Sequence, residues 1–595
     1  MINDVFAIID WNKNKPLRTF VETLGQDACF LNNYSPEIIL DKPEICLGAI
    51  KTFGSCNSWA YGKRNIVLHG KICGDSTINF TDKDIDFNHL TNYVQDGIYN
   101  FLIWDDKEQS LFISSDYLSA KALYYWRKDE LVVISSNLKA FRLLPFIPKK
   151  LNPQVLATTL ALSHPLSCDT LIEGVKTPPI NCAVVFRRDK TEFLERKAKQ
   201  SKNVNSQATE AELIKILDGL IEESSKTWLE DYQHLLISLS GGLDSRIALG
   251  YLLRLGTKIT AATWGEPKSD DFKLGIELAE KVKAKYLTYI FTDSAAIAEA
   301  NLQFPAWWTE SFSVNNVPFY WKGWLDLLQD QGLPVVHGFL GGPLGGGRLL
   351  SWGVSPTNLN SEVNEIVISE LQTWGITAAP NILTKFSTPL FKQHLTEGIA
   401  ADLTSAFCGI TEEFVYQRLM CLDFYYRQRR YLANAISKII GTFLPIILPF
   451  YTKANLDFVL GLPLELILDR KIFRNLLLEE FPLLANVREA DKGKLPVYSN
   501  RFNQYFNQVL NNRYTWYLLP QLKPQNSAAI FYSLLDSHLP IFTRTLRESR
   551  DLLDNYLDME AIAKQLELGK LNYRERGQVM RLFNLCTFLN RYFQN

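Results

Sequence analysis

The stretch LLISLSGGLDSRIALGYLL, residues 235–253, decides the fold. An apolar run, Leu235 to Leu239, reads as a buried strand and stops at Ser240-Gly241-Gly242. Leu243-Asp244-Ser245 then opens a helical pattern. Glycines at such a turn supply backbone angles closed to other residues and let a ligand come close to the main chain. The helix start offers unpaired N–H groups and the positive end of a dipole, which suits phosphate. Hydroxyls of Ser240 and Ser245 add donors. Asp244 is the odd member, because a carboxylate beside a phosphate is repulsive unless a cation lies between, so it is the candidate Mg²⁺ ligand. No GxxxxGK[ST] occurs, and no lysine follows the glycines.

The neighbouring segments give this turn its setting. HLLISLS, LDSRIALGYLLRL, KITAATW, DFKLGIELAEKVKA and KYLTYIF follow one another as strand, helix, strand, helix, strand. That βαβαβ alternation predicts a doubly wound parallel sheet. Upstream, ATEAELIKILDGLIEESSKTWL carries Leu213, Ile216, Leu217, Leu220 and Ile221 at helical spacing. Before it, RKAKQSKNVNSQATE (196–210) is polar and free of aromatic residues, a linker. Residues 1–195 hold short β-branched or aromatic runs (FAIID, NIVLHGKI, NFLIW, SLFISSD, LVVISS, CAVVFRR) broken by turn residues, so a strand-rich domain is expected there. Beyond about residue 355 helical signals dominate.

Composition bounds the function classes. The chain of 595 residues is long enough for two or three cores. Its 63 basic and 64 acidic residues show no like-charge block, which argues against nucleic-acid partners and a polybasic membrane footprint. The start, MINDVFAIIDWNKN, lacks the features of a signal peptide, and IIGTFLPIILPF (439–450) is too short to span a bilayer. Nine scattered cysteines without a CxxC pair fit free thiols in a reducing compartment, so a cytoplasmic location is expected. The seven histidines show no HxxxH or HExxH spacing.

SGGLDS resembles the pyrophosphate-loop signature of the ATP pyrophosphatase superfamily. GIYNFLIWDDKEQSLFISSDYLSAKALYYW (97–126), LVVISSNLKAF (131–141) and LIEGVKTPPINCAVVF (171–186) resemble the glutaminase-type domain of asparagine synthetases. TWGEPKSDDFKLGIELAEKVKAKYLTYIF (263–291) and LPFYTKANLDFVLGLP (448–463) resemble later segments of the same family, in its order. The resemblance implies an Ntn-hydrolase-like α+β sandwich over 1–195, the 196–210 linker, and a synthetase domain over 211–595 with a helical C-terminal part. It also implies that Ser240, Gly241, Gly242, Leu243, Asp244 and Ser245 hold the phosphates of ATP, with Asp244 on Mg²⁺. Leu239 and Trp264 would flank the adenine, His337 and Gly338 the adenosine. DKGKLPVY (491–498) resembles the family's catalytic lysine stretch and points to Lys492, or Lys494 two residues on, facing an acyl-adenylate.

Two departures reshape that expectation. Glutaminases of this class use an N-terminal cysteine, whereas this chain begins Met1-Ile2-Asn3 and its first cysteine is Cys29. The family's "N-G-E" has become His69-Gly70-Lys71. The N-terminal domain is therefore expected to be inert, as in β-lactam synthetase and lasso-peptide cyclases. In HGFLGGPLGGGR (337–348), Gly342 and Pro343 stand where the family carries acids for its second magnesium face. Arg348, and the spare acids Asp270 and Asp271, are candidates near the same pocket, and Thr452 replaces an acid of the "P-F-L-D" segment. The aromatic run 304–324 reads as core or as an acceptor pocket. The expected activity is an AMP-forming carboxylate–amine ligase. It would join a small-molecule or peptide carboxylate to an amine or ammonia, with a homodimer as candidate assembly. A synthetase homologue that binds without turnover and an ammonia-using asparagine synthetase are the alternatives.

Overall fold

The computed structural model describes residues 2–28, 36–51, 58–73, 87, 91, 96–196, 208–229, 232–290, 299–310, 322–352, 354, 365–366, 369, 381–490, 496–497, 535 and 538–593. Its N-terminal part contains β1 (Ile2–Asp10), α1 (Leu17–Ala28), β2 (Glu37–Lys42), β3 (Ile45–Lys51), β4 (Ser58–Tyr61), β5 (Arg64–Ile72), β6 (Gly97–Asp105), β7 (Ser110–Ser115), β8 (Tyr124–Lys128), β9 (Leu131–Ser135), α2 (Pro153–Leu162), β10 (Cys182–Phe186) and β11 (Thr191–Glu195). Antiparallel pairing makes one sheet, β8-β9-β1-β3-β2, and a second, β4-β5-β6-β7-β10-β11. The two are joined by a single parallel pair, Ile2 with His69.

Alternation along β1 explains why the sheets stack. Val5, Ala7 and Ile9 point between the sheets, against Val67, Leu102 and Trp104 of the second sheet. Phe6 and Ile8 point the other way, onto Leu17, Val21 and Leu24 of α1. The outer face of the second sheet presents Ile66, Phe101 and Phe112, and Phe87 stacks on Phe112 at 4.7 Å. Each fully buried side chain of this size contributes about 1.5–3 kcal/mol. The sandwich expected from the N-terminal sequence is what forms.

The second unit of structure is parallel throughout. Strands β12 (His234–Ser238), β13 (Lys258–Gly265), β14 (Lys285–Ile290), β15 (Val335–Val336) and β16 (Ile446–Ile447) lie in the order β14-β13-β12-β15-β16. Helices α3 (Glu210–Leu229), α4 (Leu243–Arg254) and α5 (Asp270–Lys281) pack beside them. Leu235, Leu236 and Ile237 of β12 are wholly buried, as a strand covered on both faces requires. On α3 the buried stripe is Leu213, Ile214, Leu217, Ile221 and Trp228, while Ile216, expected inside, is 47% exposed. Residues 197–207 of the linker lie outside the described residues. Arg196, its first residue, is fixed to the sandwich through the carbonyls of Thr91 and Asp116.

From Asn381 onward the described chain is mainly helical. One rod runs through Val415–Leu422, Asp423–Ala433 and Asn434–Lys438, and its middle third is wound in the wider i→i+5 turn. Trp307, Trp308 and Trp324 of the aromatic run are buried in the core, and residues 311–321 of that run lie outside the described residues. The seven described cysteines are all free. No helix among the described residues is long and apolar enough to cross a membrane.

Candidate functional site

Chain direction in the parallel sheet locates the site. β13 follows β12 on one side, whereas β15 joins β12 on the other. At such a switch point the loops leaving the two carboxyl ends diverge and open a crevice. The loop after β12 is Leu239 to Gly242, and the loop after β15 begins at His337, so both expected segments meet there.

Neither glycine of the turn has a positive φ, and Gly242 is extended at φ −78° and ψ 162°. The expectation that these glycines serve unusual backbone angles is corrected: Gly241 is needed for space. A Cβ on it would stand 2.8 Å from Leu274 Cδ1 and 2.9 Å from Ala490 Cβ. The loop closes on itself through its serines. The Ser245 hydroxyl donates to the Ser240 carbonyl at 3.2 Å, and Gly242 N–H donates to Ser240 Oγ at 3.2 Å. Gly242 caps α4 and, having no side chain, makes no cap hydrogen bond to the first helical amides.

Behind the loop stands Arg246, fully buried. Its guanidinium donates to the carbonyls of Gly241 (3.0 Å), Leu484 (3.2 Å), Val487 (2.5 Å) and Arg488 (2.8 Å). Burial pushes its pKa down to about 10. Ala490 N–H returns a bond to the Gly241 carbonyl at 3.1 Å. The turn is thus clamped to 484–490, the segment leading to the expected lysines.

In front stands Asp244. Its Oδ1 lies 3.5 Å from Nη1 of Arg470, and Gly342 N–H also donates to the carboxylate. Burial raises the Asp244 pKa, and Arg470 opposes that rise. The segment after β15 wraps this pair closely. A Cβ on Gly341 would fall 2.7 Å from Asp244 Cβ, and one on Gly338 would fall 3.2 Å from the Ser245 amide nitrogen.

These residues fit a divalent cation poorly. Asp244 is the one carboxylate of the loop, and a guanidinium already faces it. Among the described residues, nearby acids are committed elsewhere: Asp270 to Arg488 at 2.6 Å, Asp469 to Arg474 at 2.7 Å and Glu489 to Arg474 at 3.3 Å. No group of three or more His, Cys, Asp or Glu side chains suited to a metal occurs among the described residues.

Other expected residues distribute as follows. Leu239 is buried, and both its backbone groups serve β13, with its N–H on Ala262 and its carbonyl under Thr263 Oγ1. Trp264 lies half-buried at the carboxyl end of β13. His337 follows β15 with its N–H on Ile447, and burial pushes its imidazole down to about 4. Lys492 and Lys494 lie outside the described residues. Arg348 faces Asp423 at 3.3 Å, so the arginine beside Asp244 is Arg470 and not Arg348. Asp270, in the first turn of α5 behind its cap Ser269, pairs with Arg488. Thr452 caps the helix Lys453–Leu460.

In the sandwich, His69 is fully buried with Nδ1 3.2 Å from the Asn100 amide, and Gly70 at φ +108° sits against Ile98. Cys46 is the cysteine of β3, and burial pushes its thiol up to about 12. Arg246 and Arg470 are the residues that sequence reasoning missed. Nothing in their local sequence marks them, since their partners lie up to 242 positions away.

A family model described as a glutamine amidotransferase domain matches residues 89–197, which span β6 to β11. No curated protein matches the chain. Twenty-five chains of solved structures do. One is glutamine phosphoribosylpyrophosphate amidotransferase from B. subtilis complexed with ADP and GMP. It is 9% identical with a TM-score of 0.22, covering 48% of this chain and 90% of that one. Another is described as the allosteric regulatory enzyme of purine biosynthesis, 9% identical with a TM-score of 0.20, covering 48% of this chain and 74% of that one. The family match shows that residues 89–197 of the N-terminal part are similar to a glutamine amidotransferase domain.

Proposed function

We propose that the chain is an ATP-dependent, AMP-forming ligase that activates a substrate carboxylate and joins it to an amine or ammonia. The observation that carries this reading is the position of Ser240 to Ser245. An uncapped helix start follows the first strand of a parallel sheet, at the switch point with β15. Backbone amides there suit the β,γ-phosphates of ATP. Attack of the carboxylate oxygen on the α-phosphorus releases pyrophosphate and leaves an acyl-adenylate. The amine nitrogen then attacks the acyl carbon and expels AMP. Positioning and charge neutralisation supply the catalysis, and Lys492 or Lys494 is the proposed cation for the acyl-adenylate. The residues present do not favour magnesium, so no step here is assigned to it.

The amidotransferase-type domain is proposed as a structural partner and not a glutaminase. Supporting this, His69-Gly70-Lys71 stands where the family carries its "N-G-E". A second reading, a homologue that binds nucleotide without turnover, is favoured by one observation: Asp244 is already neutralised by Arg470. Exchange of labelled pyrophosphate into ATP decides between them, run over a panel of carboxylates with Asp244→Ala as control. Carboxylate-dependent exchange lost in the variant supports ligation. Nucleotide binding without exchange supports the second reading, and exchange with aspartate alone identifies an ammonia-using asparagine synthetase.

A further inference from the structure

Arg470 is held in a way that ordinary surface arginines are not. It and Asp469 both adopt left-handed backbone angles, φ 58° and 53°, at the entry to helix Lys471–Glu480. Two consecutive residues of this kind are strained, and such strain gathers where a side chain must be aimed. Its guanidinium is enclosed by glycines. A Cβ on Gly347 would stand 3.1 Å from Nε and 3.2 Å from Nη2, and one on Gly342 3.4 Å from Nη2. Gly342 would equally meet Asp244 Oδ2 at 3.1 Å. The position where an acid side chain would complete a metal site is therefore narrow, and the planar fork of Arg470 borders it.

Charge leads to the same place. Asp244 contributes one negative charge and Arg470 one positive charge, 3.5 Å apart. A dication at Asp244 would meet that guanidinium at short range, and among the described residues the nearby acids Asp270, Asp469 and Glu489 are each bound by arginine. Among the described residues Asp244 is the one acid paired with Arg470, and it engages only Nη1. Both side chains keep more than a quarter of their surface open. A guanidinium fork has five donors and matches phosphate oxygens two at a time.

We infer that Arg470 is the resident counter-charge of this site, standing where a divalent cation would otherwise sit, so that the loop takes a diphosphate group without a metal ion. The inference rests on reading Ser240 to Ser245 as a diphosphate cradle. Asp244 aims the guanidinium, Gly338 to Gly347 leave it room, and the first amides of α4 supply the remaining donors.

Calorimetric titration of the full chain with inorganic pyrophosphate, once in EDTA and once in excess magnesium, tests this. The wild type is expected to bind in EDTA within about threefold of its affinity in magnesium. Arg470→Gly, which suits the left-handed backbone, is expected to lose roughly tenfold or more in EDTA. Arg470→Lys, which keeps the charge but not the fork, should fall between. Thermal unfolding of each variant checks folding, and the wild-type comparison stands alone if one fails to fold. Binding that requires magnesium and is indifferent to Arg470→Gly overturns the inference while leaving the cradle intact. No binding by the wild type in either condition overturns the cradle as well.

Discussion

At the scale of single residues, Arg246 shows how a charge can be structural. It is completely buried and saturates four backbone carbonyls drawn from the loop and from 484–488. Arg246→Met would fill much of the space but take a donor from each of the four carbonyls, of which those of Gly241 and Leu484 keep a backbone N–H. The expected cost is about 3–5 kcal/mol of unfolding free energy, read by urea titration. An unchanged midpoint would mean that the carbonyls find water instead. Gly341 is a second case. Gly341→Ala drives a methyl to 2.7 Å from Asp244 Cβ, so Asp244 or the segment after β15 must move. The expected loss is about 1–3 kcal/mol, together with weaker diphosphate binding. The six residues SGGLDS were legible because their chemistry is local: small residues, hydroxyls and an acid at a strand-to-helix junction. Arg246 and Arg470 were not, because an arginine reveals its role only through the distant groups that fold around it.

At the scale of elements, the strands with continuous apolar or alternating runs were readable, and β1, β5, β6, β7, β9 and β10 stand where the sequence put them. Two that escaped, β4 (SWAY) and β11 (TEFLE), are short edge strands with exposed positions, whose pairing depends on neighbours and not on their own pattern. The wide-turn segment Asp423–Ala433 was equally hidden, since no local signal specifies i→i+5 winding. Its consequence is mechanical. Adjacent arginines reach the sandwich: Arg429 donates to the carbonyls of Ser119 (3.1 Å) and Pro178 (2.7 Å), Arg430 to those of Ser167 (2.6 Å) and Asp169 (3.2 Å). Arg430→Ala removes two of these ties. Amides of Thr170, Val175 and Thr177, which bond within that turn, should then exchange roughly tenfold faster or more, with β12 amides unchanged. Equal acceleration in both places would show global destabilisation and not a loosened seam.

At the scale of the molecule, the contact between sandwich and helices is built around buried charge, and this sets how stability responds to pH. Lys139 is 1% exposed, with its ammonium 4.5 Å from the Trp308 ring, and Lys121 is 9% exposed beside Asp4, His69 and Lys438. Glu310, wholly buried, pairs with Lys438 at 2.5 Å and accepts from Tyr124 at 2.9 Å. Burial pushes both Lys121 and Lys139 down to about 8, from an ordinary 10.5. Between those values these two lysines bind more protons in the unfolded chain than in the folded one, so their contribution to stability rises with pH across that window. Below pH 8 both lysines are charged and the full burial penalty is present. Above about pH 9 the trend reverses, because buried thiols such as Cys46 and Cys586, pushed up from an ordinary 9 to about 12, and then buried tyrosines such as Tyr124 and Tyr251 keep protons in the folded state that the unfolded chain loses. The midpoint of thermal unfolding should therefore climb from pH 7.5 to about 8.5 and fall beyond about pH 9. Lys121→Met deletes one of the two lysines that drive the climb, so the climb should shrink and the maximum move to lower pH in that variant. A midpoint that declines steadily from pH 7.5 in the wild type would mean that water reaches these ammonium groups and the seam is open.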